Sequence, residues 1–149
     1  MTKGTFKKVG KSKKKMYGSR GILVCGYLPG EQSSLLSLLE QNGFKNFPII
    51  FAANGDVSKT LNEMFALENR TGLGEKSEMD RAIIISGFTQ KELYRLMAIY
   101  RLSEFPPPLW ASLTPISEAW SLSRLLDELA AESEALKRRK QGIKDYVHT

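Results

Sequence analysis

One block of this 149-residue chain is written twice, and that limits the fold more than any other feature. Ile22-Leu23-Val24-Cys25-Gly26-Tyr27 returns 61 positions later as Ile83-Ile84-Ile85-Ser86-Gly87-Phe88: three apolar residues, a small one, glycine and an aromatic. The same offset sets Glu31 over Glu92, Phe44 over Phe105, Leu61 over Leu122, Met64 over Leu125 and Phe65 over Leu126. Phe51-Ala52 meets Trp110-Ala111 at 59, a slip of two residues in the loop before it. A period of about sixty residues marks a repeated supersecondary unit that buries its apolar face against its copy. The expected copies occupy 20–68 and 81–132.

Each copy reads β, α, β, α. The apolar tetrads are short and rich in β-branched residues, as strands buried on both faces are. Pro29-Gly30-Glu31 and Thr89-Gln90-Lys91-Glu92 open helices, the first with proline at its first position and the second as a capping box. Leu35, Leu36, Leu38 and Leu39, then Leu93, Leu96, Met97 and Tyr100, form the apolar stripe of a helix lying on a sheet. Residues 47–52 and 109–113 follow as second strands, the latter entered through Pro106-Pro107-Pro108, which cannot sit in a central ladder. Two right-handed crossovers then give a four-stranded sheet with helices on one side. The fold class expected is an α/β (α+β) sandwich, most simply ferredoxin-like with pseudo-twofold symmetry. A final helix runs from Ser121 to about Lys140, with Lys137–Lys140 in its last turn, where cations complement the macrodipole. Residues 69–79, with Gly72 and Gly74, read as a mobile linker.

Charge is segregated along the chain. Residues 1–20 carry eight basic side chains and no acid, residues 21–136 sum to −6, and residues 137–149 to +4. The expected organisation is a basic flexible arm over 1–20, a single acidic globular domain over 21–136 and a basic tail over 137–149. The arm has too few apolar residues to offset the entropy of ordering. No apolar run approaches the roughly 18 residues that span a bilayer, and no apolar stretch follows the N-terminal lysines as in a secretory signal. With a lone Cys25 and a lone His148, the chain lacks a disulfide, a Cys/His metal cage, a Ser-His-Asp triad and a Cys-His dyad. No catalytic residue, metal or cofactor is therefore assigned. The lone thiol points to a reducing intracellular compartment, the cytoplasm or an organelle stroma or matrix if the chain is a processed form.

The second copy, over about 81–132, resembles the DUF3783 family. The matching residues are Ile83-Ile84-Ile85-Ser86-Gly87-Phe88, Glu92, Pro108-Leu109-Trp110-Ala111, Leu113-Thr114-Pro115, Trp120, Leu125-Leu126 and Glu128. Trp110 stands where that family tends to have lysine, and Ser117 where asparagine is common. The resemblance implies a compact α/β module and carries no established reaction.

Several residues compete for a functional role. Gly26 and Gly87 end the first strands, where ligands meet helix N-termini in α/β folds, although glycine there also simply permits a tight turn. Glu31 and Glu92 fit helix caps better than a carboxylate pair. Cys25 lies in a buried strand, opposite Ser86 of the other copy, where thiols are inert. Tyr27, Phe88, Trp110 and Trp120 are either core or a stacking platform for bases. Thr114, Pro115 and Trp120 form the one cluster that reads as a protein-binding surface. Lys7, Lys8, Lys11, Lys13, Lys14 and Lys15, with Arg138, Arg139 and Lys140, are the candidate contacts to phosphate.

These readings favour a non-enzymatic accessory module that docks in a larger complex. Its basic termini would meet an RNA or DNA backbone or an acidic protein surface, with protein partners and no membrane. The alternative is a small-ligand-binding regulatory domain, ACT-like and open to dimerisation, with its ligand near Gly26 and Gly87.

Overall fold

A computed structural model describes residues 14–148, with side chains through Lys140. Lys7, Lys8, Lys11 and Lys13 lie outside the described residues. The element order is β1 (Gly21–Cys25), α1 (Pro29–Gln41), β2 (Ile49–Phe51), α2 (Leu61–Phe65), β3 (Ala82–Ser86), α3 (Gln90–Arg101), β4 (Leu109–Ser112) and α4 (Leu122–His148). Short 3-10 turns at Asn54–Asp56 and Ser117–Ala119 precede α2 and α4.

The four strands form one sheet in the order β2-β1-β3-β4. Each outer pair is parallel, as a strand-helix-strand crossover requires, and the central pair β1 and β3 is antiparallel. This is mixed α+β architecture, but it is not the ferredoxin-like arrangement the sequence suggests. Each crossover returns its second strand beside its first, on the outside, so the two first strands meet in the middle.

Helices cover both faces of the sheet rather than one. Ile22, Val24, Ile83 and Ile85 point into a cluster with Leu35 and Leu39 of α1 and Leu96 and Tyr100 of α3. Leu23, Cys25, Ala82 and Ile84 point the other way, against Leu61 and Met64 of α2 and Leu122, Leu125 and Leu126 of α4. Side chains alternate along a strand, so five consecutive buried positions in β1 and in β3 demand cover on both sides.

The register supplies a series of pairings between residues 61 positions apart. Leu23 lies opposite Ile84 in the central ladder, and Thr60 bridges to Ser121 ahead of α2 and α4. Around that bridge the Leu61 amide donates to the Trp120 carbonyl at 3.0 Å and the Leu122 amide to the Lys59 carbonyl at 2.8 Å. Ile22 pairs with Ile49, and Ile83 with Trp110, so the outer strands correspond at 61 and not at 59. Cys25 lies opposite Ala82 rather than Ser86.

Three boundaries differ from the sequence reading. Residues 15–20 belong to the body: Lys15 bridges to Thr89, and the Met16 amide donates to the Phe88 carbonyl at 2.7 Å. Residues 69–79 are tied down. Buried Gln32 donates to the carbonyls of Tyr27 and Glu75, and accepts from the Gly74 amide. Finally, α4 continues to His148 and spans about 40 Å. Lys137–Lys140 therefore lie inside the helix, too far from its C-terminus for the macrodipole to favour them.

Candidate functional site

Up to Leu129, α4 turns Leu122, Leu125, Leu126 and Leu129 to the sheet. Further along, Leu136, Lys137, Arg138, Arg139 and Lys140 are all exposed. Four consecutive residues cover about 300° of a helix, so the cations surround it. Glu132 and Glu134 precede them, which gives α4 an acidic stretch followed by a basic one. At the other end of the chain Lys14 and Lys15 are exposed beside the α3 N-terminus.

The glycine turns do not hold an open anion site. The Gly26 amide donates to Ser77 Oγ at 2.7 Å, and the Gly87 amide to the Tyr17 carbonyl at 2.9 Å. With φ of +80° and +69°, both residues are in the left-handed region. A Cβ on Gly26 would stand 2.6 Å from the Met79 carbonyl oxygen, and one on Gly87 2.6 Å from that of Gly18. Each turn is filled by a segment preceding the other half.

The same crossing carries two ion pairs that sequence reading missed. Arg20 makes a bidentate contact with Glu92, at 2.7 and 2.8 Å, and its guanidinium lies 4.5 Å from the Phe47 ring centroid. Arg81 reaches Glu31 at 3.3 Å and stacks 4.4 Å from the Tyr27 ring. Its Nη1 is buried without an aligned hydrogen bond, so this second pair is a looser one. Both carboxylates also cap their helices, accepting from the Leu28 and Thr89 amides. Arg20 chiefly holds the Glu92 carboxyl below its usual range, whereas the Leu28 amide chiefly does so for Glu31. A signal was available, since Arg20 and Arg81 stand 61 apart, as Glu31 and Glu92 do.

The aromatic residues do not form a platform. Tyr27 and Phe88 are fully buried. Phe88 stacks on Phe44 at 5.9 Å, the Tyr27 hydroxyl is 2.7 Å from that of Tyr100, and Trp110 meets the Tyr100 ring edge-on. Burial pushes the Tyr27 hydroxyl and the Cys25 thiol well up, so neither ionises near neutral pH. Thr114 and Pro115 are exposed, with Ile116 beside them at 73% exposure. Trp120 is half-buried, packed against the α2–α4 core and covered by Arg124 at 4.1 Å. The proposed cluster thus divides into an exposed turn and a core-facing tryptophan. The turn is rigid, because the Thr114 amide donates to Ser117 Oγ and the Ser117 amide to Thr114 Oγ1.

Two further features were not read from sequence. A cleft of about 230 Å³ opens between Tyr17, Phe65, Ser86, Leu113 and Glu118. The Ser86 hydroxyl is buried without a hydrogen-bond partner, and Tyr17 donates to Glu118 Oε1 at 2.9 Å. The second feature is an open sheet edge. The Leu109 and Leu113 amides face β3, bonding to the Arg81 and Ile85 carbonyls, so the amides and carbonyls of Trp110 and Ser112 face outward. Among the described residues nothing pairs with them.

Residues 81–136 match the model of DUF3783, a domain of unknown function. The match covers the whole of β3, α3 and β4 and the start of α4. No curated protein and no solved structure matches the chain. Among the described residues, no helix is long and apolar enough to cross a membrane.

Proposed function

We propose that this chain is a non-enzymatic assembly module made of two duplicated halves, which docks in a larger complex through its basic termini. The observation that carries the reading is the exposed ring Lys137–Lys140 on α4, beyond the leucines that pack on the sheet. Four of the body's cations are differently placed: Arg20, Lys59, Arg70 and Arg81 are committed to Glu92, Asp56, Glu40 and Glu31. An exposed cluster of charges with no ion pair among the described residues is one available to an external anion. The acidic body disfavours lying along a bare duplex, which points to a nucleic-acid-containing or protein assembly in a reducing intracellular compartment.

The test is fluorescence anisotropy of labelled single-stranded and duplex RNA with the full chain, over a series of salt concentrations. Binding should weaken with salt, with a log-log slope of about −0.7 per phosphate neutralised on single strands. The quadruple charge reversal K137E/R138E/R139E/K140E should abolish it and leave the melting temperature unchanged. Binding unaffected by that reversal would remove the helix from the interface.

The small-ligand reading is favoured by one observation, the cleft over the unpartnered Ser86 hydroxyl. Its glycine site is filled by the chain, so a ligand would have to enter there. Glu118 gives the cleft a negative wall, which suits a small amine. A thermal-shift screen of amines should raise the melting temperature of the native chain and fail with Glu118→Gln.

A further inference from the structure

We infer that the open edge of β4 pairs with the same edge of a second copy of this chain, antiparallel and centred on Ala111. The free edge is short. Pro106, Pro107 and Pro108 bring no amide to it, the Thr114 amide is held by Ser117 Oγ, and the Thr114 carbonyl accepts from Glu118. Two donors and two acceptors remain on Trp110 and Ser112, beside the Pro108 carbonyl, which the Leu109 amide's bond to Arg81 turns outward. An antiparallel twofold at Ala111 sets Trp110 of each copy opposite Ser112 of the other, as hydrogen-bonded pairs that exchange both bonds. All four groups are then satisfied, and the ladder ends where the prolines begin. Unpaired edges are usually blunted in native proteins, and this one is not covered by any described segment.

The neighbouring helix favours a second copy over an unrelated strand. α4 begins after the C-terminal end of β4, and its Ser133, Glu134 and Lys137 flank Pro107 and Leu109 at the start of β4, so the two run antiparallel. The twofold therefore carries the Lys137 end of each α4 toward the Thr114–Glu118 turn of the other copy. That brings basic Lys137 toward acidic Glu118, and exposed Leu136 toward exposed Ile116. The contact is isologous, so it closes at two subunits. It does not extend into a fibre because the opposite edge, β2, is occupied: Ile49 and Phe51 are bonded to Asn69, Arg70 and Thr71. Arg138 and Arg139 lie about 100° and 200° round the helix from Lys137, so this surface does not rest on the anion-binding reading.

Sedimentation velocity of the full chain at micromolar concentrations tests the pairing, together with two variants. Ser112→Pro deletes only an outward amide, a substitution edge strands accept. It should raise the dimer dissociation constant at least roughly tenfold, a loss of about 1.4 kcal/mol. Ala111→Cys places two thiols in a non-hydrogen-bonded pair with Cα atoms about 4.5 Å apart, and mild oxidation should link the copies. Should Ser112→Pro fail to fold, the Ala111→Cys cross-link decides alone. A wild-type chain that stays monomeric, or a dimer that Ala111→Cys does not cross-link, overturns the inference.

Discussion

The two edge strands of the sheet start from the same local plan and end differently. Outside β2, Asn69 Oδ1 accepts from the Ile49 amide, the Arg70 amide donates to the Ile49 carbonyl, and the Phe51 amide donates to Thr71. Outside β4 the corresponding groups of Trp110 and Ser112 meet no described residue. The cause lies in the stretch of chain after the second helix of each half begins. α2 stops at Phe65 after five residues, and the chain turns back through Arg70, which has a positive φ of 71°. Sixty-one positions on, Leu126 to Glu134 are mostly strong helix formers, Leu, Glu and Ala, so α4 simply continues. Beside the second edge the chain after the turn is a long helix, and that helix carries the basic ring. The stretch after α2 thus protects an edge, whereas the stretch after the start of α4 projects as an arm.

The largest expected effect comes from breaking the latch. Gly72 has a φ of +84°, and a Cβ there would collide with the Phe51 carbonyl oxygen. Gly72→Ala adds left-handed strain to a collision with backbone and should cost roughly 3 kcal/mol, read from the urea midpoint. It should also free the β2 edge, so that the variant associates beyond the wild-type state in sedimentation. A loss below about 1 kcal/mol would mean that the loop does not latch the strand.

Much of this contrast was legible in the residues. The strands, their crossovers and the caps at Glu31 and Glu92 follow from periodicity and turn chemistry, because those signals are local. The strand order depended on which edges meet, and no periodicity encodes that. Even so, five buried positions in a row already implied helices on both faces, which a one-sided layout ignores. Basic Arg20 was counted with a solvated arm because charge runs carry no information about a carboxylate 72 positions away. The open edge was invisible for a related reason. Reading Trp110 and Ser112 as strand residues says nothing of what lies beyond them.

A milder comparison sets one substitution at each edge. Asn69→Ala leaves the Ile49 amide without its acceptor and should cost about 1–2 kcal/mol, the penalty of an unmade hydrogen bond at a buried strand. Ser112→Pro, measured at concentrations where the chain is monomeric, should change stability by less than about 0.5 kcal/mol, since the amide it deletes bonds to nothing in the monomer. Equal losses in the two urea titrations would mean that the edges are protected alike, and the contrast would fail.

The smallest effect separates the two ion pairs. Both carboxyls titrate below their ordinary value in the folded chain. Depressed folded values stabilise the protein above the unfolded carboxyl pKa, and that contribution is lost as pH falls through the folded one. Arg20 is 37% exposed, so its pair is screened by solvent and worth less than about 1 kcal/mol. The difference lies in the cause. Arg20 is the main influence on Glu92, whereas the Leu28 amide outweighs Arg81 at Glu31. Carbon-detected NMR titration of Arg20→Ala should therefore move the Glu92 carboxyl upward toward its ordinary value, and weaken the acid-side loss of stability. Arg81→Ala should move Glu31 by less, because the capping amide remains. If the two carboxyls shifted equally, the tighter geometry of the first pair would carry no energetic difference, and the halves would be electrostatically equivalent despite their unequal edges.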